Sequence, residues 1–271
     1  MSTTDDPGRR DVLVCVKRTP AVGTQISLTD DRLAIDTHHL GFTIGPHEEC
    51  AVEEAVRIAE RHRGAGGTAW VTVLTVGPPD AAEQLRYAIS MGADEGVLVE
   101  VPTEDLDPEP TAASILAGVR AATGIAYELL LFGTDSAVAG NAQTGIRVAC
   151  ALGLPMVTGI KSLDDEADGA DGAGLVLRRE TPDGVEVYRV PLPAAVAVKE
   201  GINLPRYPTI KGRMRARKAA LRTVPGETAP GGLRTVALRR PREDRPKTVV
   251  LGTGAAAAPA VVEVLAELGV V

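Results

Sequence analysis

Short runs of consecutive apolar residues alternate with longer segments of helical spacing over the first half of this chain, and this alternation restricts its fold most. The apolar runs are 12–16, 70–76, 96–101 and 129–132. Runs of this kind are typical of strands that are buried on both faces. Helical spacing covers the segments 48–62, 78–92 and 111–123. The pattern predicts an α/β fold, a parallel sheet with helices on both faces and ligand sites at the carboxyl ends of its strands.

The pattern changes after about residue 160. Two strand-like runs, 175–180 and 185–190, flank a Pro-Asp-Gly turn and predict an inserted antiparallel hairpin, which a buried strand at 192–198 follows. From Lys199 onward neither a helical nor a strand period recurs until a helix at 260–269. The expected organisation is a disordered lead (1–10), an α/β domain (11–200), a partner-recognition loop (201–221) and an extended C-terminal arm (222–271) that does not pack alone and folds against something else.

Charge is distributed unevenly along the chain. The segment 201–247 has 13 basic and 3 acidic residues, whereas the rest has 16 basic and 33 acidic residues. The acidic body would repel a nucleic-acid backbone, and the 7 aromatic residues are too scattered to stack on bases. We therefore expect no nucleic-acid partner, and a protein partner for the basic segment.

Several other classes of protein are disfavoured. No segment has the roughly 18 to 20 strongly apolar residues that a membrane span requires, and the N-terminus lacks an apolar signal core. Cys15, Cys50 and Cys150 are far apart, so we interpret them as reduced core thiols of a cytoplasmic protein. The common hydrolase motifs and metal-ligand spacings do not occur, so we predict no catalytic residue and no metal site.

The segment 133–145 is rich in Gly, Ser, Thr and Asn and joins the last apolar run to a helical pattern. Such a loop can present bare backbone N–H groups and a helix N-terminus to a phosphate. An ordinary turn with a helix cap would have the same composition. Because the segments after 12–16 and after 70–76 would reach the same sheet edge, three converging loops favour a nucleotide site.

The segment 206–218 alternates basic residues with Tyr207, Ile210 and Met214. A DNA-binding arm is one interpretation, but the acidic remainder of the chain opposes it. An exposed loop with an apolar tip among cations is better suited to docking on an acidic protein surface.

In their order along the chain, these segments resemble the β subunit of electron transfer flavoproteins. The most specific part is 177–218, which combines the hairpin with LPAAVAV, NLPRY and MRARK. Supporting segments are VLVCVKR (12–18), GPHEECAVEEAVRI (45–58), LRYAISMGAD (85–94) and NAQTG (141–145). The resemblance extends over about residues 11 to 221.

The resemblance implies a nucleotide-binding α/β domain in a heterodimer. The α subunit of such a heterodimer holds most of a redox FAD, and the β subunit binds AMP as a structural nucleotide. The implied AMP-binding residues are Cys15, Gly45, Pro46, His47, Glu48, Val76, Thr134, Asp135, Ser136, Ala137, Val138, Ala139, Gly140, Asn141, Ala142, Gln143, Thr144 and Gly145.

The resemblance also implies a docking segment with Ile210 as an apolar anchor that inserts into a dehydrogenase. The implied docking residues are Arg206, Tyr207, Ile210, Met214, Arg215 and Lys218. Electrons would pass from flavin-dependent dehydrogenases through the FAD to a quinone-linked oxidoreductase, and the arm 222–271 would pack on the α subunit.

Two alternatives remain open at this point. Electron-bifurcating relatives bind a second FAD in place of AMP and oxidise NADH, and their loop also has Ala before Gln, as Ala142 precedes Gln143 here. A self-sufficient domain of the same architecture that hydrolyses nucleotides would instead be a stable monomer, although no base or metal ligand is evident near 133–145.

Overall fold

The computed structural model describes residues 9–21, 23, 26–103, 107–122, 125–169, 172–227, 231–240 and 248–271, with the backbone alone described at 166–169 and 172–173. The strands are β1 (Arg9–Cys15), β2 (Arg18–Pro20), β3 (Ser27–Leu28), β4 (Ile35–Asp36), β5 (Phe42–Ile44), β6 (Thr68–Gly77), β7 (Glu95–Glu100), β8 (Leu129–Gly133), β9 (Met156–Gly169), β10 (Gly172–Thr181), β11 (Gly184–Pro191), β12 (Ala194–Val198) and β13 (Leu221–Pro225). The α-helices are α1 (Pro46–Gly64), α2 (Ala82–Met91), α3 (Pro108–Ala121), α4 (Thr144–Leu152), α5 (Ile210–Lys218) and α6 (Ala258–Glu267).

Nine strands form one sheet in the order β11-β10-β9-β12-β8-β1-β6-β7-β13. Neighbouring strands in the part of this order that runs β9-β12-β8-β1-β6-β7-β13 are all parallel. Strand β10 pairs antiparallel with both β9 and β11. The small strands pair separately, β2 with β5 and β3 with β4. The carboxyl ends of seven parallel strands therefore lie along one edge of the sheet.

Strand β1 shows why the sheet needs helices on both faces. Val12 and Val14 pack in the core layer that contains residues of α1 and α2, whereas Leu13 and Cys15 pack in the layer that contains residues of α3 and α4. All four side chains are buried. The α/β fold predicted from the apolar runs is confirmed.

The hairpin prediction is confirmed, but the insertion is larger than the sequence indicated. Strands β10 and β11 pair Leu175 with Val190 and Thr181 with Gly184, as the Pro-Asp-Gly turn requires. Strand β9 precedes them and pairs with β10, so three strands extend the parallel sheet. The first part of β9 is also a parallel neighbour of β12.

Two boundaries of the predicted organisation differ in the structure. Arg9 and Arg10 begin β1 rather than ending a lead, and residues 1–8 lie outside the described residues. Residues 221–225 pair with β7 at the edge of the sheet, so the predicted arm beginning at 222 starts inside the sheet. The expectation that no helix or strand recurs between 199 and 259 is wrong, because α5 and β13 lie in that segment.

Tertiary contacts explain helix α5, which has little apolar periodicity. The Thr209 hydroxyl accepts a hydrogen bond from the Gly212 N–H (3.0 Å) and caps the first turn. Arg215 donates from Nη2 to the carbonyl oxygens of Ile89 (2.7 Å) and Ala93 (3.0 Å) at the end of α2. Partners more than one hundred residues away therefore hold this helix.

The chain divides into two compact units, 1–236 and 237–271. The second unit contains a 3-10 turn, Gly254–Ala257, that leads into α6. The helix predicted at 260–269 is thus present two residues earlier. The predicted arm also includes 228–230 and 241–247, which lie outside the described residues.

Of the three cysteines, Cys15 and Cys50 are buried as predicted, but Cys150 is exposed. Cys150 lies on α4, where Val148 and Ala149 face the core. The prediction of a core position is wrong for Cys150 because adjacent helix positions point in different directions.

Among the described residues, no helix is long and apolar enough to cross a membrane.

Gly118 provides a test of the packing between α3 and the sheet. A Cβ at this position would lie 2.6 Å from Leu74 Cδ1 and 2.8 Å from Val99 Cγ2, and both side chains are buried. We expect Gly118→Ala to lower the free energy of unfolding by about 1 to 3 kcal/mol in urea denaturation, although alanine favours helix.

Gly64→Ala is the matched control, because nothing lies within 4 Å of a Cβ at the end of α1. This variant should be unchanged or slightly more stable. A Gly118→Ala protein as stable as the wild type would contradict the packing of α3 described here.

Candidate functional site

A cavity lies at the carboxyl ends of β1, β6 and β8, where the fold places ligand sites. Twelve of the predicted nucleotide-binding residues line it: Cys15, Glu48, Val76, Thr134, Asp135, Ser136, Ala139, Asn141, Ala142, Gln143, Thr144 and Gly145. The other six, Gly45, Pro46, His47, Ala137, Val138 and Gly140, belong to the same segments but are not among the lining residues. The structure thus brings together residues that are up to 130 positions apart.

Sequence reasoning missed nine lining residues: Val16, Lys17, Leu74, Thr103, Pro108, Thr111, Ile115, Phe132 and Gly133. Most of them continue the same strands or begin α3. The sequence prediction did not include the segment between β7 and α3. This segment follows a parallel strand and leads into a helix, as the predicted loops do. The rule that all parallel strands end at one edge could have indicated it.

The loop between β8 and α4 is shaped by its own backbone. Gly140 N–H donates to the Ser136 carbonyl (3.0 Å), and Ala139 N–H donates to the Ser136 hydroxyl (3.1 Å). Gly140 and Ala142 have φ values of 57° and 50°. This left-handed conformation is uncommon for a residue with a side chain, so the loop is a defined turn beside the cavity rather than an open connection.

The Thr134 hydroxyl is already engaged in the sheet. It donates to the Val198 carbonyl (3.0 Å) and accepts from the Gly159 N–H (3.2 Å). Thr134 thereby joins the end of β8 to the end of β12 and to the first part of β9. Its contribution to a ligand site is mainly to position the loop that follows.

Helix α4 presents its N-terminus to the cavity. Its first turn contains Thr144 and Gly145, and the N-cap residue Gln143 makes no side-chain capping bond. A Cβ at Gly145 would lie 2.8 Å from Met156 Cε, so this position is confined by packing. Uncapped N–H groups and the positive end of the helix dipole are suited to an anion.

Glu48, in the first turn of α1, is the more buried of the two acids that line the cavity, the other being Asp135. Glu48 is 5% exposed, and its Oε2 has no hydrogen-bond partner among the residues that the structure describes. Burial raises the pKa of Glu48 to about 7, although a hydrogen bond to its own backbone and the nearby Lys17 lower it. Glu48 is therefore a carboxyl that can be neutral near physiological pH.

His47 connects α1 to the loop after β8. Its Nδ1 lies 2.8 Å from Asp135 Oδ1. The approach is possible because residue 133 is glycine, since a Cβ there would lie 3.0 Å from His47 Cβ and 3.0 Å from Glu48 Cδ. The glycine allows α1 to reach the end of β8.

The Cys15 thiol is buried. Burial raises its pKa far above the ordinary value, so the thiol stays un-ionised. Cys15 contributes an apolar part of the wall.

Four apolar side chains are exposed around α5, at Leu204, Tyr207, Ile210 and Met214, and we call them the apolar patch. Tyr207 and Ile210 are 89% and 82% exposed. Lys211, Arg213, Arg217 and Lys218 are exposed on the same helix. Exposed apolar groups among cations are typical of an interaction surface.

Arg206 and Arg215, two of the predicted docking residues, make intramolecular bonds instead of facing outward alone. Arg206 Nε lies 2.8 Å from Glu53 Oε2, and Arg206 Nη1 lies 2.7 Å from Glu60 Oε1. Burial would raise the pKa of Glu53, but the hydrogen bonds from Arg206 and Arg57 outweigh it and the pKa is lowered. Arg215 is bound to the end of α2. Both arginines hold the segment that presents the apolar patch.

Comparisons with known proteins identify the family to which the chain belongs. The profile of the family described as "Electron transfer flavoprotein domain" matches residues 32–229. The chain is 33% identical over 208 residues to the protein named "Electron transfer flavoprotein subunit beta" of Mycobacterium tuberculosis (strain ATCC 25618 / H37Rv), covering 76% of each chain. Proteins of the same name match from Bacillus subtilis (strain 168) (34% identity, 71% of this chain and 73% of the relative) and Homo sapiens (34% identity, 80% and 82%).

The Glu48 carboxyl predicts a specific pH dependence of stability. Its pKa is higher in the folded chain than its ordinary 4.5, so the folded state binds the proton more tightly. The free-energy cost of ionising this carboxyl in the folded chain is absent below about pH 4.5 and complete above about pH 7. The folded state therefore loses stability as the pH rises through this range. Without added nucleotide, the wild type should lose about 2 to 3 kcal/mol of unfolding free energy between pH 5 and pH 8 through this group. The Glu48→Gln variant should not show this loss.

Urea denaturation at several pH values measures this difference between variant and wild type. Glu83→Gln, an exposed position in the first turn of α2, is the control and should follow the wild-type profile. Parallel pH profiles for Glu48→Gln and the wild type would contradict the raised pKa of the Glu48 carboxyl.

Proposed function

The chain belongs to the electron transfer flavoprotein family, and we propose that it works as the β subunit of a heterodimer that transfers electrons without being an enzyme itself. In this proposal the cavity holds a structural AMP, and the apolar patch docks flavin-dependent dehydrogenases in the cytoplasm. The FAD that the α subunit mainly binds supplies the redox chemistry, and a quinone-linked oxidoreductase accepts the electrons. The relatives named as β subunits support the pairing with an α subunit.

The residues of the cavity fit an adenine nucleotide. The uncapped N-terminus of α4, reached through Gln143, Thr144 and Gly145, would receive the phosphate. The apolar wall, which includes Cys15, Leu74, Ile115 and Phe132, suits a base. The unpartnered Oε2 of Glu48 leaves one polar group for the ligand. The convergence of α4 and Glu48 on one cavity is the observation that supports this assignment most.

The apolar patch fits the proposed docking role because hydrogen bonds and ion pairs to α1 hold the segment 203–206 that leads into it. Asn203 Nδ2 donates to the Cys50 carbonyl (3.0 Å) and to Glu54 Oε2 (3.0 Å), and Arg206 joins Glu53 and Glu60. A preorganised surface loses less conformational entropy on binding. The exposed cations on α5 would steer the patch toward acidic partners.

The nucleotide content of the heterodimer tests the proposal. After coexpression with its α subunit and denaturation, the complex should release one AMP and one FAD per heterodimer, measured by chromatography. Two FAD and no AMP would instead identify the electron-bifurcating type, in which NADH oxidation is expected. A stable monomer that turns over ATP would contradict both.

Ile210 tests the docking surface. The change Ile210→Ala removes apolar area from a patch residue that is 82% exposed, so kcat/KM for electron transfer from the dehydrogenase should fall about tenfold or more, with bound flavin unchanged. Val187→Ala, at an exposed valine on the edge strand β11, is the matched control. Loss of flavin in Ile210→Ala would show that this residue belongs to the cofactor site instead.

A further inference from the structure

We propose that Glu48 couples nucleotide binding to proton uptake, so that a phosphate-bearing nucleotide enters the cavity together with a proton that Glu48 takes from solvent. The proposal rests on the proposed nucleotide site. It assigns to Glu48 a role in selecting the charge of the ligand.

The backbone encloses the Glu48 carboxyl. A Cβ at Gly45 would lie 2.3 Å from its Oε2, and a Cβ at Gly133 would lie 3.0 Å from its Cδ. Within the described part of the chain Oε2 has no hydrogen-bond partner, and Glu48 as a whole is 5% exposed. A carboxylate at this position therefore lacks both a hydration shell and a full set of donors, and burying a charge under these conditions is costly.

The charged groups around Glu48 do not offset that cost. Lys17, which follows β1, favours the ionised carboxyl, whereas Asp135 after β8 and Glu49 on the same helix oppose it. His47 lies against Asp135, with Nδ1 and Oδ1 2.8 Å apart. The lining of the cavity thus combines one lysine with two acids. A phosphate would add further negative charge to this set.

The proton that relieves this repulsion should go to Glu48 rather than to Asp135. The Asp135 side chain is 47% exposed, so water screens its charge, and His47 lies beside it. Glu48 is only 5% exposed, so water screens its charge far less, and Lys17 is the one charged neighbour named above that favours its ionised form. Protonation also changes its role, because a neutral carboxyl has an O–H that can donate to a ligand acceptor.

The pKa of Glu48 agrees with this geometry. Burial raises it to about 7, so the neutral and ionised forms are similarly populated at neutral pH before the ligand binds. A nearby anion raises a carboxyl pKa further. AMP affinity should therefore fall as the pH rises above 7. The second ionisation of the phosphate, near pH 6, is largely complete at pH 7. It would raise the affinity as the pH rises, because a helix N-terminus favours the more negative phosphate.

Calorimetric titration of the full chain, coproduced with its α subunit and dialysed free of AMP, tests the proposal. AMP is added at pH 7.0 and pH 8.5, in two buffers of different ionisation enthalpy at each pH. The wild type should bind AMP about tenfold more weakly at pH 8.5 and take up about half a proton at pH 7.0. Glu48→Gln, which is neutral at both pH values, should keep its affinity at pH 8.5 and take up no proton.

Two controls separate the possible failures. Glu83→Gln should behave as the wild type, and adenosine, which lacks the phosphate, should bind the wild type equally at both pH values. AMP binding without proton uptake, proton release, or an equal pH effect on adenosine would overturn the proposal for Glu48 alone. A wild type that binds no AMP at either pH would overturn the nucleotide site and this proposal together.

Discussion

The close approach of α1 to the end of β8 is the contact on which the cavity depends. Glycine at residue 133 leaves room for it, because a Cβ there would lie 3.0 Å from both His47 Cβ and Glu48 Cδ, and these neighbours would have to shift by a few tenths of an ångström. This approach encloses the Glu48 carboxyl and brings His47 to Asp135.

Helix α1 also organises the proposed docking surface. Its N-terminal turn contributes Glu48 to the cavity, while Glu53, Glu54 and Glu60 further along bind the segment 203–206. Helix α2 has the corresponding role for α5, through the bonds from Arg215. The same two helices that cover the sheet therefore position the apolar patch. This arrangement explains how a segment with little regular periodicity can present a defined surface.

Most of the sheet could be predicted from the sequence because apolar runs buried on both faces are a strong local signal. Strand β13 could not, since it lies at the sheet edge and is only partly buried. Helix α5 depends on distant carbonyl groups that no local pattern shows. At the site, composition and resemblance indicated the loop and α1, but the isolation of Glu48 and the intramolecular ion pairs of Arg206 depend on tertiary packing.

The central claim is that one cavity, formed by the ends of β1, β6 and β8, binds an adenine nucleotide. A crystal structure of the full chain with its α subunit, purified without added nucleotide, tests this claim most directly. We expect electron density for AMP in the cavity, with the phosphate at the N-terminus of α4 and Glu48 in contact with the ligand. A cavity filled by side chains of the α subunit, or AMP bound elsewhere in the complex, would contradict the account.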